Sequence, residues 1–167
     1  VRRLRLAATA DEVYAWHAAP GALQRLTPPW EKVEVVRDGG LHDGAEVVLR
    51  LRLGPFSRLW VARLADCVPG RGFRDRQIRG PFAWWEHTHT MEPAAPAAQP
   101  TSEAPETAAG GSYLIDRVAY VLPFGALGRW IAGGWARRKI DRMFEYRHAV
   151  TSRALGTASA SASPVDP

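Results

Sequence analysis

Residues 73–91 constrain the fold more than any other part of the chain. They hold two alternating runs joined at Gly80-Pro81, a pair of residues that ends regular structure. Side chains of a strand alternate between faces, so Phe73, Asp75, Gln77 and Arg79 share one face of the first run. Trp85, His87, His89 and Met91 share one face of the second. Arg74, Arg76, Glu86, Thr88 and Thr90 fall on the opposite faces, which read as solvated. The other faces then point inward and carry aromatics beside a carboxylate, an amide and two imidazoles. Such a mixture is either a buried hydrogen-bond network or the lining of a pocket.

The same period continues on both sides. Residues 1–6, 32–36, 45–53 and 58–65 read as strands, with Val47, Leu49, Leu51 and Leu53 on one face of the third and Trp60, Ala62 and Leu64 inward on the fourth. Thr9 or Asp11 can cap a short helix over 11–17, broken by Pro20-Gly21, and 22–26 can form another turn, stopped by Pro28-Pro29. Residues 112–122 make a further strand with Leu114, Asp116, Val118 and Tyr120 on one face. A long helix is predicted over 126–153, where Leu127, Ile131, Trp135, Ile140, Met143, Phe144 and Val150 recur at helical spacing. Two stretches lack anchors. Residues 93–111 are rich in Ala, Pro, Ser and Glu and read as a disordered insertion in a hairpin connection. Residues 154–167 read as a flexible tail or interdomain linker after a single domain over 1–153.

This is an α+β pattern: about seven antiparallel strands, two short helices after the first, and one long C-terminal helix. A curved sheet must bury one face, and only the long helix is large enough to cover it. A sheet wrapped around one helix leaves space between them, a candidate ligand cavity.

Charge and composition narrow the partners. The formal charge is +5, yet all but two of the 22 basic residues are arginine and they scatter over several strands. A nucleic-acid footprint clusters its charge, so no nucleic-acid partner is expected. Arg137-Arg138-Lys139 could touch an anionic membrane or a partner, although a solvated helix face is the plainer reading. No apolar run is long enough to span a bilayer, and no signal-peptide pattern precedes the first strand. The single cysteine, Cys67, permits no internal disulfide and fits a reducing compartment, so a cytoplasmic location is expected. No zinc spacing, Gly-x-Ser-x-Gly, His-Glu-x-x-His or Walker sequence occurs, and neither a metal nor a cofactor is expected.

Alternation places Asp75, Gln77, His87, His89, Asp116 and Tyr120 on the concave face. His87 and His89 could join a neighbouring carboxylate at a metal, or serve as acid and base near neutral pH. The plainer reading is a satisfied buried network; ligand orientation comes second, and catalysis or metal binding third. Trp60, Phe73, Trp85, Met91 and Phe144 would supply apolar area to a cavity. Arg147 has core-facing spacing and is either a charge partner for Asp116 or a ligand anion, or a stem packed beneath an exposed guanidinium.

The motifs resemble a known family. Phe73-x-Asp75-x-Gln77-x-x-Gly80-Pro81-Phe82-x-x-Trp85-x-His87-x-His89, Asp116-x-Val118-x-Tyr120-x-x-Pro123 and Phe144-x-Tyr146-Arg147 are similar to the START-like (SRPBCC) superfamily, in its bacterial branch described as cyclase/dehydrase-like or cell-division-inhibitor-like. The resemblance covers roughly 4–150 and implies the helix-grip fold, known also from Bet v 1-like proteins. It implies binding of a hydrophobic or amphipathic small molecule between sheet and helix. Two alternatives stay open. One is a polyketide cyclase/dehydrase-type enzyme with His87 or His89 as acid or base, Tyr120 or Arg147 polarising a carbonyl, and Asp116 as a further catalytic candidate. The other is an accessory domain of a fused or partner NAD-dependent epimerase-like oxidoreductase. No dinucleotide-binding glycine loop lies in this chain, so nucleotide chemistry would belong to that other domain.

Overall fold

The computed structural model describes residues 1–53, 55–94 and 111–157. Strand β1 (Arg2–Leu6) leads into helices α1 (Ala10–Ala18) and α2 (Ala22–Arg25). Six strands follow: β2 (Val33–Asp38), β3 (Glu46–Leu53), β4 (Phe56–Val68), β5 (Gly72–Arg79), β6 (Trp84–Pro93) and β7 (Ser112–Val121). Helix α3 (Gly125–Leu155) ends the described chain. The strands form one antiparallel sheet in the order β1-β7-β6-β5-β4-β3-β2, so the first strand closes against the last. This is the expected helix-grip arrangement.

Local chemistry explains the boundaries. Thr9 caps α1 through a capping box: Glu12 N donates to Thr9 Oγ1 at 3.3 Å, and Thr9 N donates to the Glu12 carboxylate at 2.7 Å. Helix α3 runs two residues past the expected end at Arg153, so Ala154 and Leu155 are helical rather than tail. Ala7 N then donates to Gly156 O at 3.1 Å, which ties the helix end to the end of β1. The expected insertion is described only at its ends, where Ala94 N donates to Gly111 O at 2.7 Å. Residues 95–110 and 158–167, where the rest of the insertion and most of the tail were placed, lie outside the described residues.

The core is lopsided. Leu6, Val13, Tyr14, Leu64, Phe73, Met91 and Leu114 form a buried cluster where α1 packs on the sheet. Each such side chain contributes about 1.5–3 kcal/mol when fully buried. Helix α3 buries only Ala136, Phe144 and Thr151 among its described side chains. Leu127, Ile131 and Trp135, which the helical period assigned to the core, are exposed. The first half of α3 crosses open space instead of lying on the sheet, and it carries Gly133-Gly134 at its middle.

One inward assignment changes. Ala62 pairs with Gln77 but Val61 pairs with Arg79, so Ile78 is an extra residue on β5. A bulge of this kind reverses the alternation beyond it. Arg79 therefore sits opposite outward-facing Val61 and is exposed, not on the concave face with Phe73, Asp75 and Gln77.

Gly72 fixes how closely β5 approaches β6. Its φ is +149°, and a Cβ there would lie 2.1 Å from His89 O. Both the backbone angle and the close approach require glycine. Gly72→Ala is expected to destabilise the fold by about 2 kcal/mol, through strain and overpacking. Urea unfolding checks this; a loss below about 0.5 kcal/mol, the level of a neutral surface change, contradicts the packing described.

Candidate functional site

A cavity of about 870 Å³ separates the concave face of β3–β6 from α2 and the first half of α3. Its wall is mainly apolar. Leu49, Leu51, Trp60 and Ala62 face it from β3 and β4, and Trp85 faces it from β6. Trp60 and Trp85 meet edge to face, with ring centroids 5.0 Å apart, and Phe82 closes on both. Such contacts fix three large rings as a rigid wall. A smaller space of about 420 Å³ lies on the other side of α3, beside β7 and the start of β1.

The polar end of the large cavity is built by the pairing of β5, β6 and β7. The register sets Asp75 opposite His87, and His89 opposite Asp116. His87 Nδ1 lies 3.1 Å from Asp75 Oδ2, and its Nε2 lies 3.0 Å from Asp116 Oδ1. A carboxylate can only accept, so His87 donates from Nε2 to Asp116, and the Asp75 carboxylate beside Nδ1 further favours the charged ring. His148 of α3 donates from Nε2 to Asp116 Oδ2 at 2.7 Å. His89 Nδ1 is 2.8 Å from Asp116 Oδ1 but out of line for a hydrogen bond, and this nitrogen is the buried polar side-chain atom left without a partner among the described residues. Trp85 Nε1 donates to Asp75 Oδ1 at 3.2 Å. His17 of α1 donates from Nδ1 to Val13 O at 2.8 Å, which leaves its Nε2 as the acceptor when the ring is neutral.

Burial and charge divide the roles. Burial pushes the Asp116 carboxyl up, but His89, His148 and His87 outweigh it and hold it well below the usual carboxylate range. Asp75 is likewise pushed up by burial and brought below its ordinary value by His87, with smaller help from His89 and Arg147. Burial pushes His87 down, yet its bonds to Asp116 and Asp75 raise it above an ordinary imidazole. His89 is driven to about 3, first by burial and then by the neighbouring His87 charge, so it is neutral. Burial also lowers His17 and Arg147, the latter partly restored by Asp75 and Asp116. Two carboxylates thus face Arg147 and a histidine, His87, held toward its charged form. Charges this deep persist only when matched.

The structure sorts the candidates. Trp60, Phe73, Asp75, Trp85, His87, His89 and Arg147 reach the wall of the large cavity. Gln77, Met91, Asp116, Tyr120 and Phe144 are not on that wall. Gln77 brackets the β5–β6 turn, donating to Phe82 O at 2.8 Å and accepting from Phe82 N at 3.4 Å. Met91 belongs to the core under α1. Tyr120 is on the concave face, but α3 lands between it and the large cavity, so it borders the smaller space instead. Phe144 is the partition: its ring stands edge-on to His87 at 5.0 Å and is buried. Asp116 lies beneath His87 and His89 and touches the smaller space. Both ring nitrogens of His87 face carboxylates, an arrangement that favours its protonated form over a free base.

Sequence reasoning missed His17 and His148. Both are helical and lie outside the strand alternation that marked the others. His148 carried a signal, since it falls one turn after Phe144 and about two turns before the helix end, on the buried side. Asp75, His87 and His89 could also offer three ligand atoms within 4.8 Å of one another, which is geometry compatible with a metal ion. In this structure His87 pairs with Asp75 and Asp116, while His89 Nδ1 has no hydrogen-bond partner among the described residues.

The family described as polyketide cyclase / dehydrase and lipid transport matches residues 6–145. No curated protein matches the chain. Among solved structures, a nucleoside-diphosphate sugar epimerase from Corynebacterium glutamicum is 23% identical with a TM-score of 0.65; the match covers 92% of this chain but 28% of the epimerase. The di-domain ARO/CYC StfQ of the steffimycin biosynthetic pathway is 14% identical with a TM-score of 0.64, over 93% of this chain and 49% of StfQ. Norcoclaurine synthase from Thalictrum flavum, in complex with dopamine and hydroxybenzaldehyde, is 18% identical with a TM-score of 0.59, over 95% and 87% of the two chains. At these identities the likeness is one of fold.

The cluster makes stability depend on pH in both directions. Between its ordinary 6.5 and about 3, the unfolded chain protonates His89 while the folded chain does not, so stability falls on acidification. His17, also lowered, adds to this arm. Above 6.5 the folded chain keeps the His87 proton that the unfolded chain has lost, so stability falls as pH rises toward the raised folded value. Urea midpoints are expected to peak near pH 6.5, with each group adding a slope of up to about 1.4 kcal/mol per pH unit. His89→Phe should flatten the acid arm between pH 6.5 and 5 and leave the alkaline arm. An unchanged acid arm in that variant contradicts the neutral state assigned to His89.

Proposed function

The chain belongs to the polyketide cyclase / dehydrase and lipid transport family, and from that membership we propose that it binds a hydrophobic or amphipathic small molecule in the large cavity. The observation that carries this reading is the cavity itself: about 870 Å³ of mainly apolar wall that ends in one charged cluster. Apolar burial at about 25 cal/mol per Å² supplies the affinity, and the polar end supplies orientation. Trp60, Phe82 and Trp85 form an aromatic corner of the wall, suited to a ring-bearing ligand. Asp75 and Arg147 offer an acceptor and a donor to its polar end. His89 presents a neutral ring stacked on Phe73 at 4.1 Å.

A second reading rests on a different observation. Asp75 is the cluster's carboxylate on the cavity wall, and it is backed by the His87 ring. A ligand ketone whose α-carbon lay against Asp75 could lose a proton to it, with the electron pair moving to the carbonyl oxygen beside Arg147 and the proton later returning to carbon. This reading moves the base from His87 or His89 to Asp75, because both nitrogens of His87 face carboxylates and Asp75 presents an ionised carboxylate to the cavity. It predicts exchange of the α-hydrogens of 4-phenyl-2-butanone in heavy water, lost in Asp75→Asn. Exchange no faster than in buffer removes it.

Binding is tested by native against denaturing mass spectrometry and by titration with the apolar fluorophore anilinonaphthalene sulfonate. Leu49 faces the cavity and is only half-buried, so Leu49→Trp fills space without crowding the core. It is expected to weaken the fluorophore's binding by about ten-fold or more through lost volume, with urea stability kept within about 1 kcal/mol. Equal affinity in wild type and variant would remove the cavity from the binding site.

A further inference from the structure

Helix α3 exposes its apolar side where the cavity opens. Phe124 is 86% exposed, Trp130 84%, Ile131 68%, Trp135 63% and Leu127 60%. Leu127, Ile131 and Trp135 form one row at intervals of four, and Phe124 extends it at the start. All four border the cavity, while Trp130 is not on its wall. Trp84 and Val121, paired at the ends of β6 and β7, are partly exposed beside the same turn. Isolated exposed apolar residues are ordinary, but a contiguous patch of large ones marks a surface that is covered in use. The turn supports this: Phe124 adopts φ +65°, rare for a bulky residue, and Gly125 follows at +57°. Backbone strain of this kind is retained where it serves a site.

The charge around the patch selects what covers it. Residues 124–140 contain four cations and no carboxylate. Lys139 is paired with Glu31 at 2.8 Å, but Arg129 and Arg138 make no ion pair among the described residues. Arg137 is strongly exposed, and its nearest carboxylate, Asp141, is 4.0 Å away and already bonded by Arg2. A second copy of the same patch would bring these arginines against one another. An anionic lipid surface instead offers phosphates to the arginines and hydrocarbon to the rings, the arrangement of an interfacial helix.

We propose that the first half of α3, with Phe124 and Trp130 leading, docks on an anionic bilayer so that the cavity mouth opens onto the lipid. The proposal rests on the apolar-cavity reading for its purpose but not for its geometry. It assigns the ligand's source: a molecule that partitions into membranes enters without crossing water. It also revises the plainer reading of Arg137-Arg138-Lys139 as a merely solvated face.

The test is co-sedimentation of the whole chain with vesicles of phosphatidylcholine alone or mixed with phosphatidylglycerol, together with its tryptophan emission. Binding and a blue shift are expected with the anionic vesicles only. Trp130→Ser and the double change Arg137→Glu, Arg138→Glu should each lower the bound fraction about ten-fold, from lost apolar and electrostatic contact respectively. Trp130 is not on the cavity wall, so Trp130→Ser should still bind anilinonaphthalene sulfonate in the absence of vesicles. Conversely, Leu49→Trp should lose the fluorophore and keep the vesicles, which separates failure of the docking surface from failure of the cavity. No binding to anionic vesicles overturns the proposal, as does binding that both surface variants leave unchanged. A dimer in sedimentation velocity that Trp130→Ser dissociates overturns it in favour of a second copy.

Discussion

A carboxylate sealed at Asp116 must be matched from several sides, and that requirement organises the molecule. His87 and His89 reach it from β6, and His148 reaches it from α3. The register of β6 with β7 is set wherever the sheet pairs, but the helix has no such ladder. Its hydrogen bond from His148 is a directional contact to the sheet at the centre of the fold. Removing one partner would leave a buried charge short of its donors, which is far more damaging than losing an exposed ion pair. Asp75 completes the set by holding the other side of His87, so a charge buried for structural reasons also appears on a cavity wall.

The same helix position decides where empty space lies. A seven-stranded sheet is wider than one helix, and α3 crosses it obliquely near β6 and β7. Ground on the β2–β5 side is left to the large cavity, and a narrow strip toward β1 is left to the smaller one. Phe144 and Asp116 stand at the divide. Function and packing are therefore not separate inventories here: the side chains that seal the helix to the sheet end the cavity as well.

The fold was legible in the sequence because its signals are local. Alternation gave the strands, Pro20-Gly21 and Pro28-Pro29 punctuated the short helices, and the helical row gave α3. The wall residues on β4, β5 and β6 followed from the same parity. What was not legible depended on position rather than period. Arg79 changed faces because one extra residue, Ile78, enters β5, and no composition rule announces a bulge. Tyr120 has the right parity but lies on the far side of α3, which strand alternation cannot encode. Leu127, Ile131 and Trp135 have the spacing of a core stripe yet face open space. His17 and His148 enter from helices, so no strand pattern could group them with His87 and His89.

Gly133-Gly134 lies within the arm of α3 that spans the cavity. Behind it, Phe144, His148 and Thr151 are held in the interior or bonded; ahead of it, the turns rest on nothing but cavity. Neither glycine is demanded by crowding, since a Cβ at Gly134 would meet nothing within 4 Å and one at Gly133 only the Arg129 side chain at 3.6 Å. Each glycine weakens the helix by roughly 0.5–1 kcal/mol relative to alanine. The helix is thus a beam clamped at one end, with its softest joint in the arm that spans the cavity. A bend at that joint would change the volume enclosed by the free arm and leave the charges behind it where they are.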